Sequence, residues 1–318
     1  MKFVLMNKLD EAGLKLMAEH HIDYFIANTE ELWKFPEQLA EADALIIVRG
    51  RCQNKVLDMC PRLKAIGIHG VGIDRIDVDY ATKKGVAVLN TPGANSVSVA
   101  EHTMAFLLAC AKNLVEQDRE CRKGNWGVRM NGKAVELAGK TVGIVGVGSI
   151  GRLVAGYCRT FGMHTLGYSH SHNRAKVEAA GCEYCDTLDE LLRRSDFVSL
   201  HMPLTPESRG IIGERELCLM KRTAFLINTA RGPEVDSQAL ADAVNRGIIA
   251  GAAVDVFDPE PPAPDDPFFS APDILCSPHC AAFTKGGKEK MAVAVVSGCI
   301  AVCEGKKWDS VVNPEVLK

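Results

Sequence analysis

"VGIVGVGSIGR", residues 142–152, is the stretch on which the reading of the fold turns. An apolar run ends in Gly146, and Gly148 and Gly151 follow it at the spacing G-x-G-x-x-G. The first glycine permits a tight turn, the second lets a pyrophosphate approach the backbone, and the third lets a helix pack on the strand. A helix starting there offers free N–H groups and a partial positive charge to phosphates. The spacing alone is a weak signal. Placed after a strand and at the head of a helix, it predicts a dinucleotide site, with Ser149 and Ile150 in the turn.

The next strand, HTLGYS (164–169), ends where the ribose should lie. An acid is the usual occupant there, about 20 residues on from the glycines. This chain has Ser169, followed by His170, His172 and Arg174. Serine adds no negative charge, so a 2′-phosphate is not repelled, and the three residues after it offer donors or positive charge. That tilts the cofactor towards NADP(H) over NAD(H). In the other reading, Ser169 hydrogen-bonds a plain ribose and the histidines are solvated.

Similar apolar runs recur on either side. KFVLM (2–6), DALIIV (43–48), LKAIGIHG (63–70) and GVAVLN (85–90) form one series. KTVGIVG (140–146), HTLGYS, DFVSLH (196–201), AFLIN (224–228), IAGAAVDVF (249–257) and ILCSPH (274–279) form a second. Runs apolar nearly end to end suit strands buried on both faces, and the helical segments between them predict parallel sheets with right-handed crossovers. One long helix is predicted from about Ser98 to Lys123, and a last one from Thr284 to about Glu304. The fold class is therefore α/β, with two Rossmann-like domains. At 318 residues and 47% hydrophobic content, the chain is long enough for both.

The composition excludes several classes of partner. A net charge of −3 gives no sign of nucleic acid. No run approaches a membrane span, and the start, MKFVLMNKLDEAG, has too short an apolar stretch for a signal peptide. Twelve cysteines without such a signal read as free thiols in a cytoplasmic protein. Cys182 and Cys185 have C-x-x-C spacing but no second pair, so no metal site is expected. DPEPPAPDDP (258–267) reads as a rigid loop.

Three stretches carry reactive side chains at strand ends: INTARG (227–232) with Arg231, VDVFDPEPP (254–262) with Glu260, and CSPHC (276–280) with His279. The carboxyl ends of strands form the ligand crevice of open α/β sheets, so the three can converge. Singly, each is as well read as a surface arginine, a loop glutamate or a core histidine.

Together with GVGIDRIDVDYATKKGVAVLNTPGANSVSVAEHT (70–103), LAGKTVGIVGVGSIGR (137–152), VSLHMPLTPESRGII (198–212), LINTARG (226–232), AAVDVFDPEPP (252–262), SPHCAAFT (277–284) and VVNPE (311–315), they occur in the order found in one family. The chain resembles the D-isomer-specific 2-hydroxyacid dehydrogenases over nearly its whole length. The resemblance implies a discontinuous, flavodoxin-like substrate domain of residues 1–98 and 286–318, around a dinucleotide-binding domain of residues 99–285. It implies Arg231, Glu260 and His279 as catalytic residues, and Asp255 as the residue holding the nicotinamide carboxamide. It adds Val71, His201, Pro203, Thr229 and Ala230 as cofactor neighbours. The backbone of Val71 and Gly72 would receive the substrate carboxylate. A homodimer is implied, with the long helix and the loop of Trp126 at its interface. Arg49 or Arg51, in VRGRCQ (48–53), either lines the substrate pocket or is solvated. The chain departs from the family at Ser169 and at Cys280-Ala281-Ala282, where glycines often follow the histidine.

The activity implied is hydride transfer between a nicotinamide and C2 of a small 2-keto or 2-hydroxy acid, of the hydroxypyruvate, glyoxylate or phosphoglycerate kind. His279 suits the proton at the C2 oxygen, because imidazole titrates near neutral pH. Glu260 would hold its other nitrogen, Arg231 would grip the carboxylate, and closure of a hinge between domains would exclude water. The alternative is a dinucleotide-sensing corepressor on the same fold. Such relatives tend to carry disordered extensions, and few residues follow the last helix here.

Overall fold

Strands apolar on both faces are stable only between two layers of helices, and both sheets of this protein are arranged so. The structure, a computed structural model, describes residues 1–317 and divides into two compact units: Met1–Asn95 with residues 283–317, and Ser96–Ala282.

The first unit has five strands, β1 (Lys2–Met6), β2 (Asp23–Ile26), β3 (Ala44–Ile47), β4 (Ala65–Ile68) and β5 (Ala87–Leu89). They pair in parallel in the order β2-β1-β3-β4-β5. Side chains alternate between faces along a strand. Val4, Met6, Leu45, Ile47, Ile66 and Ile68 accordingly join one core, while Phe3, Leu5, Ile46 and Leu89 join another beneath the helix Lys285–Cys303. Thr284 caps that helix by accepting from the Gly287 N–H at 2.9 Å. Edge strand β2 stands outside the predicted series. Its sequence, DYFI, is half-polar and its burial partial, so no continuous apolar run marks it.

The second unit has seven strands, β6 (Thr141–Val145), β7 (His164–Tyr168), β8 (Glu183–Tyr184), β9 (Phe197–Leu200), β10 (Phe225–Asn228), β11 (Gly251–Val254) and β12 (Ile274–Cys276). All pairs are parallel, in the order β12-β11-β10-β9-β6-β7-β8. From β6 the chain runs out to one edge, then returns to β9 and builds the other half. The order reverses between β6 and β9, which places a crevice beyond their carboxyl ends. Val142, Ile144, Phe197, Ile227 and Ala253 face one core, and Val145, Val198, Leu200, Leu226 and Val254 the other.

The single helix predicted over 98–123 is two, Ser96–Ala111 and Leu114–Arg122. Asn113 between them is left-handed, with φ 50°. That conformation stops the i→i−4 ladder, and asparagine adopts it more readily than most residues. Among the described residues no helix is long and apolar enough to cross a membrane, and all twelve cysteines are free. Cys182 and Cys185 are both buried, and burial pushes their thiols upward, to about 11 for Cys185.

Gly67 shows how tightly the first unit is packed. A Cβ there would lie 2.5 Å from Val295 Cγ2 and 2.7 Å from Cys299 Sγ. Gly67→Val should destabilise the protein by about 1–3 kcal/mol, read as a lower denaturant midpoint with an unchanged slope.

Candidate active site

The glycine-rich turn follows β6, and each glycine has a separate reason. Gly146 has φ 95°, and a Cβ on it would lie 2.8 Å from the His201 carbonyl group. On Gly151 a Cβ would lie 2.3 Å from Gly146 O, so the helix Gly151–Thr160 starts hard against the turn. Gly148 has nothing within 4 Å of the position its Cβ would take. The first and third glycines thus serve packing, and the second leaves room for a ligand. No side chain caps the helix that begins here, so its first N–H groups face the turn. The cradle fits a pyrophosphate.

Past β9, His201 bonds Ser199 Oγ through Nε2 at 2.8 Å, and its Nδ1 is buried with no partner among the described residues. Burial holds this imidazole neutral, pushing it down to about 3. Pro203 lies in the exposed loop beyond, its carbonyl accepting from Ser208 Oγ at 2.9 Å.

At the end of β7, Ser169 is half-buried, with its Oγ 2.9 Å from Ser171 Oγ. The chain turns at once: His172 N–H donates to Ser169 O at 2.8 Å, and His172 is left-handed. His170 is exposed. Arg174 begins the next helix and lies over the Tyr184 ring, 4.8 Å from its centroid, with Glu178 and Asp186 each 3.9 Å away. Its charge is therefore shared with surface acids.

The side chains at the ends of β10, β11 and β12 are wired together. Asn228, 1% exposed, clamps the turn after β10: its Oδ1 accepts from Ala230 N–H, and its Nδ2 donates to Arg231 O, both at 2.9 Å. Thr229 Oγ1 is 2.9 Å from Thr103 Oγ1, and Arg231 Nη1 donates to Ala230 O at 2.7 Å. The register of β10 with β11 continues one step further, with Asp255 N–H donating to Asn228 O at 2.9 Å.

Asp255, 1% exposed, organises the loop after β12. Its Oδ1 accepts from Ser277 Oγ and, at 2.8 Å, from Cys280 N–H; its Oδ2 accepts from Ala281 N–H at 2.9 Å. Its main-chain carbonyl accepts from His279 N–H at 2.7 Å. His279 is held in a left-handed conformation, φ 49°, and its Nδ1 lies 2.6 Å from Glu260 Oε2. The other carboxylate oxygen of Glu260 accepts from Phe257 N–H at 3.1 Å. Phe257 is itself fixed, its ring centroid 5.9 Å from that of Phe268 and 6.0 Å from that of Phe269. Gly232 presses on the same loop, since a Cβ there would be 2.1 Å from Phe257 O.

The Glu260–His279 contact engages one imidazole nitrogen with a carboxylate, leaving Nε2 for a substrate. Asn228 and Ser277 carry no signal of their own in the sequence, although both lie inside the quoted motifs. His102 Nε2, 3.1 Å from Ser277 Oγ, also joins this network. His102, Asp255 and Cys280 bring ligand-type atoms within 4.8 Å of one another, but both Asp255 oxygens already accept from the loop.

In the first unit, Val71 is exposed, and its carbonyl accepts from Asn90 Nδ2 at 2.7 Å. Gly72 next to it is half-buried. Arg49 is exposed, with its guanidinium carbon 5.8 Å from the Phe283 ring centroid, whereas Arg51 donates to Asp74 O at 3.1 Å.

A pyrophosphate cradle at the sheet's switch point, with a carboxylate-held histidine and an arginine on neighbouring strand ends of the same sheet, defines a nicotinamide-dinucleotide oxidoreductase. Residues 104–281 match the profile of the D-isomer specific 2-hydroxyacid dehydrogenase NAD binding domain, and the chain belongs to that family. It is 37% identical over 314 residues to the D-3-phosphoglycerate dehydrogenase of Methanocaldococcus jannaschii, covering 98% of this chain and 59% of that one. The chain therefore spans less than two thirds of that relative's length. It is 42% identical over 285 residues to the glyoxylate reductase of Aeropyrum pernix, covering 87% of this chain and 85% of that one. Among solved structures, the NADPH-dependent glyoxylate/hydroxypyruvate reductase of Sinorhizobium meliloti matches with a TM-score of 0.87 at 26% identity, over 98% of each chain. The named relatives are enzymes, and the corepressor alternative is not favoured.

Gly148→Val should abolish dinucleotide binding in a fluorescence titration. Because its Cβ meets only open space, the unfolding free energy should move by no more than about 0.5 kcal/mol.

Proposed function

We propose that the protein reduces a small 2-keto acid to the D-2-hydroxy acid, in the glyoxylate/hydroxypyruvate or phosphoglycerate class, with NADP(H) preferred over NAD(H). The observation that carries this reading is the 2.6 Å contact between His279 Nδ1 and Glu260 Oε2. It holds the ring through Nδ1 and presents Nε2 as the proton donor to the C2 oxygen. Arg231 holds the substrate carboxylate and stabilises the charge that develops on the C2 oxygen, an effect commonly worth roughly 3–4 kcal/mol. Asn228 fixes the peptide from which Arg231 projects. The bound dinucleotide supplies the hydride that reaches C2.

The dinucleotide is assigned to residues 99–285, with Val71, Gly146, Gly148, Ser149, Ile150, Gly151, Ser169, His170, Arg174, His201, Pro203, Thr229, Ala230 and Asp255 as its contacts. Residues 1–98 and 286–318 are assigned as the substrate domain. Val71 and Gly72 take their substrate roles from the family motif alone, and Arg49 takes its role from its place in the stretch VRGRCQ of the first domain. Support for NADP(H) comes from the missing acid at Ser169 and from exposed His170 beside it. For the homodimer, support comes from the helix Leu114–Arg122, which buries none of its residues, and from Trp126 and Met130, 70% and 80% exposed. Twelve unpaired cysteines suit a cytoplasmic enzyme.

Kinetics with NADPH and NADH across glyoxylate, hydroxypyruvate, pyruvate and phosphohydroxypyruvate test the reading; no oxidation of either cofactor with any of them refutes it. Arg231→Ala should lose about 10²–10³ in kcat and raise KM as well, while Glu260→Gln should mainly move the pH profile. Ser169→Asp should restore repulsion of a 2′-phosphate, raising KM for NADPH and leaving that for NADH little changed.

A further inference from the structure

Glu234 is a buried acid with no part in the mechanism above. It ends the 3₁₀ turn Gly232–Glu234, which starts immediately after Arg231. The residue is 0% exposed, and neither carboxyl oxygen has a hydrogen-bond partner among the described residues. Its main chain is fixed on both sides, the N–H donating to Arg231 O at 3.3 Å and the carbonyl accepting from Ile212 N–H at 3.0 Å. The side chain therefore cannot leave the interior without undoing the turn. Burial pushes the carboxyl up to about 8, while the Arg231 charge and the nearby Arg231 main-chain N–H, which falls short of hydrogen-bond geometry, pull the other way. Two charged groups on the adjoining segments are engaged elsewhere. Arg209 lies 3.6 Å from Asp258, and Asp236 caps the following helix at Ala239 N–H.

An acid without a donor is poor filling for an interior, and a leucine would occupy similar space without that cost. What Glu234 has that leucine lacks is a titratable charge, in the turn that follows the arginine that the proposed function gives to the substrate carboxylate. We propose that Glu234 is a positioning residue that sets, through Arg231, how tightly the protein holds an anionic substrate. While neutral, it leaves the guanidinium charge to the substrate. Once ionised, it takes a share of that charge and weakens the hold. Linkage is reciprocal, so an anion at Arg231 favours the protonated acid. Affinity is full below the acid's titration and falls as pH rises through it. The inference rests on the reading of Arg231 as the carboxylate ligand.

The test is calorimetric titration of oxalate, a small dicarboxylate, into the full-length protein saturated with NADP⁺, at about pH 6.5 and about pH 9, with Glu234→Gln, Glu234→Leu and Arg231→Ala alongside. If the bound anion moves the midpoint of the acid's titration by about one pH unit, affinity changes about tenfold across it. The wild type should therefore lose about tenfold more oxalate affinity between the two pH values than either Glu234 variant. Two variants are used so that a folding defect in one leaves the other. If both lose affinity as the wild type does, the role of Glu234 is overturned while that of Arg231 stands. If Arg231→Ala binds oxalate as tightly as the wild type, or the wild type does not bind it, both are overturned.

Discussion

The carboxylate of Asp255 carries the geometry of the site. It stands at the end of β11, is 1% exposed, and receives a hydroxyl and two main-chain N–H groups from the loop after β12. Hydrogen bonds to an ionised acceptor are the strong kind, and a buried carboxylate that loses one costs roughly 1–3 kcal/mol. The loop closes around this group because β11 and β12 run parallel with Val254 opposite Cys276, so the residues that follow emerge side by side. His279 sits within the wrapped segment in a left-handed conformation, uncommon outside glycine but one that histidine adopts more readily than most residues. Its ring then meets Glu260.

The same principle recurs along the sheet. Parallel strands deliver their carboxyl ends to one edge, where chain direction changes and the backbone has spare donors and acceptors. Polar side chains absorb them at two strand ends, Asn228 beneath Arg231 and Asp255 beneath His279, while Ser199 pairs with the His201 ring. Arg231 and His279 are thus mounted on neighbouring polar side chains that hold their backbone. Electrostatics follow from this arrangement, since buried His201 stays neutral while the Glu260–His279 pair remains partly open to solvent.

Much of this is legible in the sequence. Strands buried on both faces produce apolar runs, and the glycine turn, the arginine, the glutamate and the histidine each follow such a run. What escapes a linear reading depends on non-local contacts. Asn113 fits a helical pattern and breaks it by its own backbone conformation. Edge strand β2 lacks the apolar run because one side of it is wet. Asn228 and Ser277 lie inside motifs read for their neighbours, and nothing in a linear pattern says which polar side chain turns inward. Arg174 reads from sequence as a phosphate donor, but its stacking on Tyr184 depends on a strand that is only two residues long. Glu234 looks like any acid in a polar turn, and only the tertiary fold buries it.

Gly232 ties two of these supports into one mechanical part. Its bare backbone lies flush on the Phe257 carbonyl, and a short step along the chain from Phe257 leads to the acid that steadies the histidine. Even a methyl group there would lever the two segments apart and unseat both charges together. Substitutions at 232 and at 257–258 should consequently be epistatic: neither segment can drift alone, and a workable change in one must arrive with a matching change in the other.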